Sequence, residues 1–266
     1  MKREYSFRDD LSTFEALLRI VERLRGPEGC PWDLKQTHQS LKRNLLEECY
    51  EVLEAIDSNQ PEKLAEEMGD LLVQLAFHTD IASKNDEFTW DNVFLQVNNK
   101  LIRRHPHVFG TSKVSDVKEV ERNWDRIKKD EGSITSPVDG IPNATPALAY
   151  AQLMQDRVSR DGFDWDDLSY VLDKVYEELK EMQNASTHED LIDEIGDILF
   201  SVVNLSRWYG IHAEDALRAS ISKFKNRYLL MEKLAEERNL KLSNMTLKEK
   251  DRLWQEAKQV ERQANR

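Results

Sequence analysis

Glu47-Glu48-Cys49-Tyr50-Glu51 followed by Glu67-Met68-Gly69-Asp70 is an acidic pattern that occurs twice in this chain. It returns as Glu177-Glu178-Leu179-Lys180-Glu181 and Glu194-Ile195-Gly196-Asp197. On an α-helix, residues three and four apart share one face, so each EExxE and each ExxGD places its acids on one side of a helix. The first helix carries an apolar stripe of Leu41, Leu45, Cys49, Val52 and Ile56. At about 100° per residue, Glu48 borders that stripe and Glu51 lies just beyond it. The next helix reads as a stripe of Leu64, Met68, Leu71 and Leu75, with Glu67 and Asp70 beside it. Two such helices packed antiparallel bring four carboxylates to one seam. The expectation is two helical pairs, each with acids at its seam.

Converging carboxylates repel and raise one another's pKa, and a bound cation removes that conflict. Oxygen donors without a neighbouring Cys or His point to magnesium, with manganese as the second choice. Magnesium keeps waters and shares its shell with substrate phosphates, which suits a phosphate-processing site. A single glutamate-rich helix decides nothing, since most are solvated faces. The linked pair of motifs, repeated at matched spacing, favours a site. A di-iron bundle would need Glu-x-x-His pairs, and none of the six His follows a Glu by three.

Only nine Gly and seven Pro in 266 residues, with 33% charged residues and long 3.6-residue periodicities, favour an all-α protein. The net charge of -12 and a pI near 5.1 argue against nucleic-acid binding. Cys30 and Cys49 form no motif. No apolar run is long enough to span a membrane and no leader pattern is present, so a cytoplasmic protein is expected.

Taken in order, residues 1–10 are polar and expected to be loose. Helices are expected over 11–24, 38–57, 61–84, 90–104, 117–129, 147–160, 168–183, 191–209, 213–237 and 246–263, with Trp32-Asp33 in a loop. Thr89 suits an N-cap, and Thr187 with Asp190 is spaced like a capping box. Residues 131–146 hold three of the seven Pro and read as a linker between domains 1–130 and 147–266.

The repeat extends beyond the acids. Trp32 returns as Trp165 at an offset of 133, the EExxE at 130, the ExxGD at 127, Lys100 and Arg104 as Lys223 and Arg227 at 123, and Trp124 as Trp254 at 130. Two copies indicate a duplicated domain and not a solenoid. A basic pair at i, i+4 near a helix C-terminus complements the helix dipole. Its recurrence after the same acidic helices favours a grip on phosphates. Trp254 reads equally as core or as a surface on which a base stacks.

With these residues in view, the chain resembles the MazG family of nucleoside triphosphate pyrophosphohydrolases in its two-domain form. The motifs that carry the likeness are the two acidic sets, the turns Cys30-Pro31-Trp32-Asp33 and Phe163-Asp164-Trp165-Asp166, the segment Asp139-Gly140-Ile141-Pro142, and the run Ser222-Lys223-Phe224-Lys225-Asn226-Arg227-Tyr228. The resemblance implies an all-α bundle, a homodimer, magnesium dependence, and cleavage of an NTP or dNTP to monophosphate and pyrophosphate, a nucleotide-pool house-cleaning activity. It implies metal ligands at Glu178, Glu181, Glu194 and Asp197, with Glu177, a catalytic carboxylate, beside them. The N-terminal copies are Glu48, Glu51, Glu67 and Asp70. Substrate contacts are implied at Lys174, Lys223, Arg227 and Trp254, with Lys100 and Arg104 as the N-terminal counterparts of the basic pair. Lys174 has no such counterpart, because Asn44 stands at that offset and Arg43 beside it. Two other readings stand next to this one: a narrow pyrophosphohydrolase for a modified nucleotide or guanosine alarmone, and a non-catalytic helical protein with acidic binding faces.

Overall fold

The computed structural model describes residues 10–132 and 136–264. Residues 1–9 of the polar stretch and 133–135 of the expected linker lie outside the described residues. Every regular element described is helical: α1 (Phe14–Leu24), α2 (Pro31–Leu34), α3 (His38–Asp57), α4 (Pro61–Lys84), α5 (Trp90–Arg104), α6 (Pro106–Phe109), α7 (Val117–Asp130), α8 (Ala147–Arg160), α9 (Leu168–Asn184), α10 (His188–Trp208), α11 (Ala213–Glu237) and α12 (Leu247–Ala264), with a 3₁₀ turn at Leu242–Asn244. The all-α class and the long helices follow the periodicity. Trp32-Asp33 is a turn of helix and not a loop, because Pro31 at its first position fixes the helical φ. No helix among the described residues is long and apolar enough to cross a membrane.

The chain divides into two compact units, Met1–Val114 and Ser115–Arg266. This division falls ahead of the 131–146 segment read as a linker. Helix α7 goes with the second unit, where Asp125 Oδ2 accepts from Arg160 Nε of α8 at 2.6 Å.

In the first unit α3 and α4 pack as a hairpin, with α1 against α4. The core is Val21, Leu41, Ala76, Phe77 and Ile81, with Leu17, Leu18, Leu24, Val73 and Trp90 packed around it. Phe14 meets Trp90 edge-on at 5.0 Å. Arg25, at the end of α1, ties this corner: its Nε donates to Asp80 Oδ2 at 2.7 Å and its Nη1 to the Asp33 carbonyl. The turn between α1 and α2 needs Gly29, since a Cβ there would lie 2.1 Å from the Leu24 carbonyl oxygen. Thr37 and Thr89 cap α3 and α5 with reciprocal boxes.

The second unit repeats the hairpin with α9 and α10, and α8 lies on α10 as α1 lies on α4. Thr187 and Asp190 form the expected capping box of α10. Gln152 of α8 holds the turn between α10 and α11, its Nε2 donating to the Ile211 carbonyl and its Oε1 accepting from Ala213 N–H. Helices α11 and α12 form a separate seam around Met231, Ala235, Leu253 and Ala257.

The expected stripe of α4 needs correction. Glu67 faces inward and is buried, while Met68 and Leu75 point outward. The hairpin seam is taken by the acids, so the apolar residues beside them are left on the outer surface.

Candidate active site

The C-terminal hairpin assembles the site. Glu178 of α9 is buried, at 3% exposure, and faces Glu194 and Asp197 of α10. One carboxylate oxygen from each of the three lies within 4.8 Å of the others. Partial burial, then the charges of Glu181, Glu178 and Asp197, hold the Glu194 carboxyl above its ordinary value. Its Oε2 is buried with no hydrogen-bond partner. Lys174, one turn before Glu178, bridges two acids: its Nζ lies 2.6 Å from Glu178 Oε1 and 2.9 Å from Glu177 Oε1. Those two hydrogen bonds raise the lysine pKa well above its usual range, so it is a fixed cation.

The N-terminal hairpin repeats the triple with Glu48, Glu67 and Asp70. Burial first, then Asp70 and Glu51, pushes the Glu48 carboxyl up. Burial and Glu51 do the same for Glu67. Where Glu178 has a lysine, Glu48 has an amide: Gln74 Nε2 donates to its Oε1 at 3.3 Å. In each copy three of the four expected acids converge, while Glu51 and Glu181 are exposed and act on the triple through their charge.

The C-terminal triple opens on a cavity of about 630 Å³. Glu178, Asp197 and Lys174 form one end. Phe163, Trp165, Val158, Met154 and Phe200 supply apolar wall, and Gln155, Ser201, Asn204, Asp164 and Arg207 supply polar groups. A clasp holds the 163–165 segment to α10: Arg207 donates to both Asp164 oxygens, Nη1 to Oδ2 at 2.9 Å, and Trp208 Nε1 donates to Oδ1 at 3.3 Å. Burial raises the Asp164 carboxyl, but the Arg207 hydrogen bond, the Trp165 N–H and the Arg207 charge outweigh it, so the group sits below its ordinary value. Gly162, at φ +95°, starts the segment.

The expected substrate residues divide. Lys174 lines the cavity; Lys223, Arg227 and Trp254 do not. Arg227 Nε donates to Glu261 Oε2 at 2.6 Å, and Trp254 lies 5.0 Å from Phe224, both in the α11–α12 seam. Lys100 and Arg104 sit toward the C-terminal end of α5. Sequence reasoning missed Gln155, Ser201 and Asn204. The repeat held a signal for the last two: at the offset of 127 that aligns Glu67 with Glu194, Gln74 becomes Ser201 and Phe77 becomes Asn204.

A profile of the MazG nucleotide pyrophosphohydrolase domain matches residues 36–109 and again 167–229, the two acidic hairpins. The chain is 45% identical over 247 residues to the nucleoside triphosphate pyrophosphohydrolase/pyrophosphatase MazG of Thermotoga maritima, covering 92% of this chain and 95% of that one. It is 39% identical over 260 residues to the nucleoside triphosphate pyrophosphohydrolase of Escherichia coli (strain K12), covering 94% and 99%. It is also 44% identical over 270 residues to the uncharacterized protein YabN of Bacillus subtilis (strain 168), which covers 99% of this chain but 55% of that relative, so the chain spans about half of YabN.

Proposed function

The chain belongs to the MazG nucleotide pyrophosphohydrolase family, and on that premise we propose that its C-terminal hairpin hydrolyses nucleoside triphosphates to monophosphate and pyrophosphate with magnesium. One observation carries the reading: an apolar and aromatic cavity of about 630 Å³ shares two of its lining residues, Glu178 and Asp197, with a convergent carboxylate triple. Such a cavity accepts a nucleoside, and the triple meets the phosphates.

The donor set fits a hard divalent ion. All three groups are carboxylates, they converge, and Glu194 leaves a buried oxygen without a partner. Glu178, Glu194 and Asp197 would hold the metal, with Glu181 adding charge at the rim. When bound, magnesium neutralises phosphate oxygens and acidifies a coordinated water. Glu177, solvent-facing and tethered by Lys174, is placed to accept a proton beside the triple. Lys174 fixes Glu178 and adds a positive charge at the phosphate end of the cavity. Phe163 and Trp165 form the wall against which the base packs.

The N-terminal triple supports a second metal position of the same chemistry. A homodimer accounts for the apolar side chains left outside on the hairpins, such as Met68, Leu72, Tyr176, Ile192, Ile195 and Leu199. Substrates drawn from the nucleotide pool are consistent with a cytoplasmic enzyme. Mixed NTPs and dNTPs incubated with the purified protein, with and without magnesium, test the reading by chromatography. Monophosphate plus pyrophosphate, formed only with metal, is the expected result. Diphosphate plus phosphate overturns the bond assignment, and no turnover in folded protein favours a binding role for the acidic faces.

A further inference from the structure

Two glutamines lie one turn apart on the inner face of α8, and both are buried. Gln152 is fully paired, as donor to the Ile211 carbonyl and acceptor from Ala213 N–H. Gln155 is only half paired. Its Nε2 donates to the Phe200 carbonyl at 2.9 Å, and its Oε1 is buried with no partner. The Phe200 carbonyl can only accept, so the amide cannot turn round to satisfy its oxygen. The side chain is 5% exposed, and it lines the cavity beside the carboxylate triple. A bridge from α8 to the turn that leads into α11 accounts for Gln152 but leaves the Gln155 oxygen unexplained, and a buried acceptor without a donor is costly.

The other polar groups on the cavity wall narrow the role further. Asp164 is filled by Arg207, Trp208 and the Trp165 N–H. Lys174 is held by Glu177 and Glu178 at the metal end. Asn204 Oδ1 accepts from Arg207 Nε, which fixes that amide with its NH₂ as the remaining group. Beside the Ser201 hydroxyl, which can turn to donate or accept, the wall offers two amide groups of fixed sense: an acceptor, Gln155 Oε1, and a donor, Asn204 Nδ2.

Building on the proposed reading of this cavity as a nucleotide site, we infer that Gln155 selects the base by accepting one of its N–H groups. The substrates are nucleotides whose base edge carries such a donor next to an acceptor. A base whose N–H is methylated or absent leaves the Gln155 oxygen buried and unpaired and is rejected. Asn204 meets the neighbouring acceptor. The pair thus works as an admission test on the base edge, distinct from the metal and phosphate contacts shared by every triphosphate.

The test compares nucleotide pairs that differ in one donor: UTP with N3-methyl-UTP, GTP with N1-methyl-GTP, and ATP with purine riboside triphosphate. Dissociation constants are measured by titration calorimetry with calcium in place of magnesium, and kcat/KM with magnesium. The wild-type protein should favour the donor-bearing member of at least one pair on the order of 10- to 100-fold. Gln155→Met, close in volume and without an amide, should bring that ratio near one by weakening the donor-bearing nucleotide, with the effect in KM more than in kcat. Wild-type ratios near one in all three pairs overturn the inference and need no variant. A Gln155→Met protein that is folded by circular dichroism and keeps the wild-type ratio also overturns it. Binding ratios that behave as expected in a protein releasing no monophosphate leave the Gln155 assignment standing and remove the hydrolase reading, so the two fail separately.

Discussion

The two acidic hairpins have the same triple and different surroundings. In the N-terminal hairpin, Glu48 receives an amide from Gln74, and Phe77 one turn along α4 is packed into the core against Val21 and Leu41. In the C-terminal hairpin, Glu178 receives a lysine, and the counterparts of Gln74 and Phe77 are Ser201 and Asn204 on a cavity wall. The counterpart of Asp80, which closes the first unit with Arg25, is Arg207, which holds the cavity's Asp164. The hairpin with its acids is the part that duplication preserves. A place for a nucleoside needs a few core positions of α10 to become small or polar. The first unit packs Phe77 into its core, and the second leaves Ser201 and Asn204 on a cavity wall.

The largest expected break of this comparison is at the buried glutamates. Glu178→Gln should lower turnover by more than about 100-fold, beyond the cost of losing an outer partner of a metal, while Glu48→Gln leaves most of it. Initial rates of pyrophosphate release measure both, and equal losses would falsify the asymmetry. Next is the position that differs most between the hairpins. Phe77→Ala should destabilise the first unit by about 3–5 kcal/mol, whereas Asn204→Ala should change stability little and raise KM; urea melts and kinetics separate the two. Lys174→Met should lower kcat/KM by about 10- to 100-fold and leave Glu178 buried without its cation, so that magnesium restores much of the lost thermal stability. A stability deficit that magnesium does not touch would mean that the lysine matters only for packing.

The smallest effect sharpens what the two triples share. Glu48, Glu67 and Glu194 all have carboxyls raised above the ordinary 4.5. A raised carboxyl binds its proton more tightly in the folded state, so it costs nothing below 4.5 and costs increasingly as pH rises through its folded value. Magnesium offsets that cost. Its stabilising effect should therefore grow from pH 4.5 upward and level off once these groups are ionised, by roughly 2–4 °C in melting temperature. A magnesium shift independent of pH would remove the acids from the metal site.

Much of the fold was legible because the helices are long, strongly periodic and capped. The acids were legible because helical spacing fixes their face. The outward turn of Met68 and Leu75 was not, since both fall on the helical stripe that periodicity alone reads as core. Arg227 and Trp254 recur in the right order, but order along a chain does not fix distance: the α11–α12 seam satisfies both through Glu261 and Phe224. Gln155 and Asn204 were invisible as single polar residues in amphipathic helices. Only the exchange of Phe77 for Asn204 between the repeats marks the place where a core was opened.

The Asp164 clasp bears on timing. A recognition segment that must fold around its ligand slows capture and spends binding energy on ordering. Here Phe163 and Trp165 stand on a segment already anchored to α10 through Arg207 and Trp208. Encounter should then run close to the pace of diffusion for every nucleotide alike. On the proposed reading, discrimination would then fall to how long each one stays, a sorting by residence time.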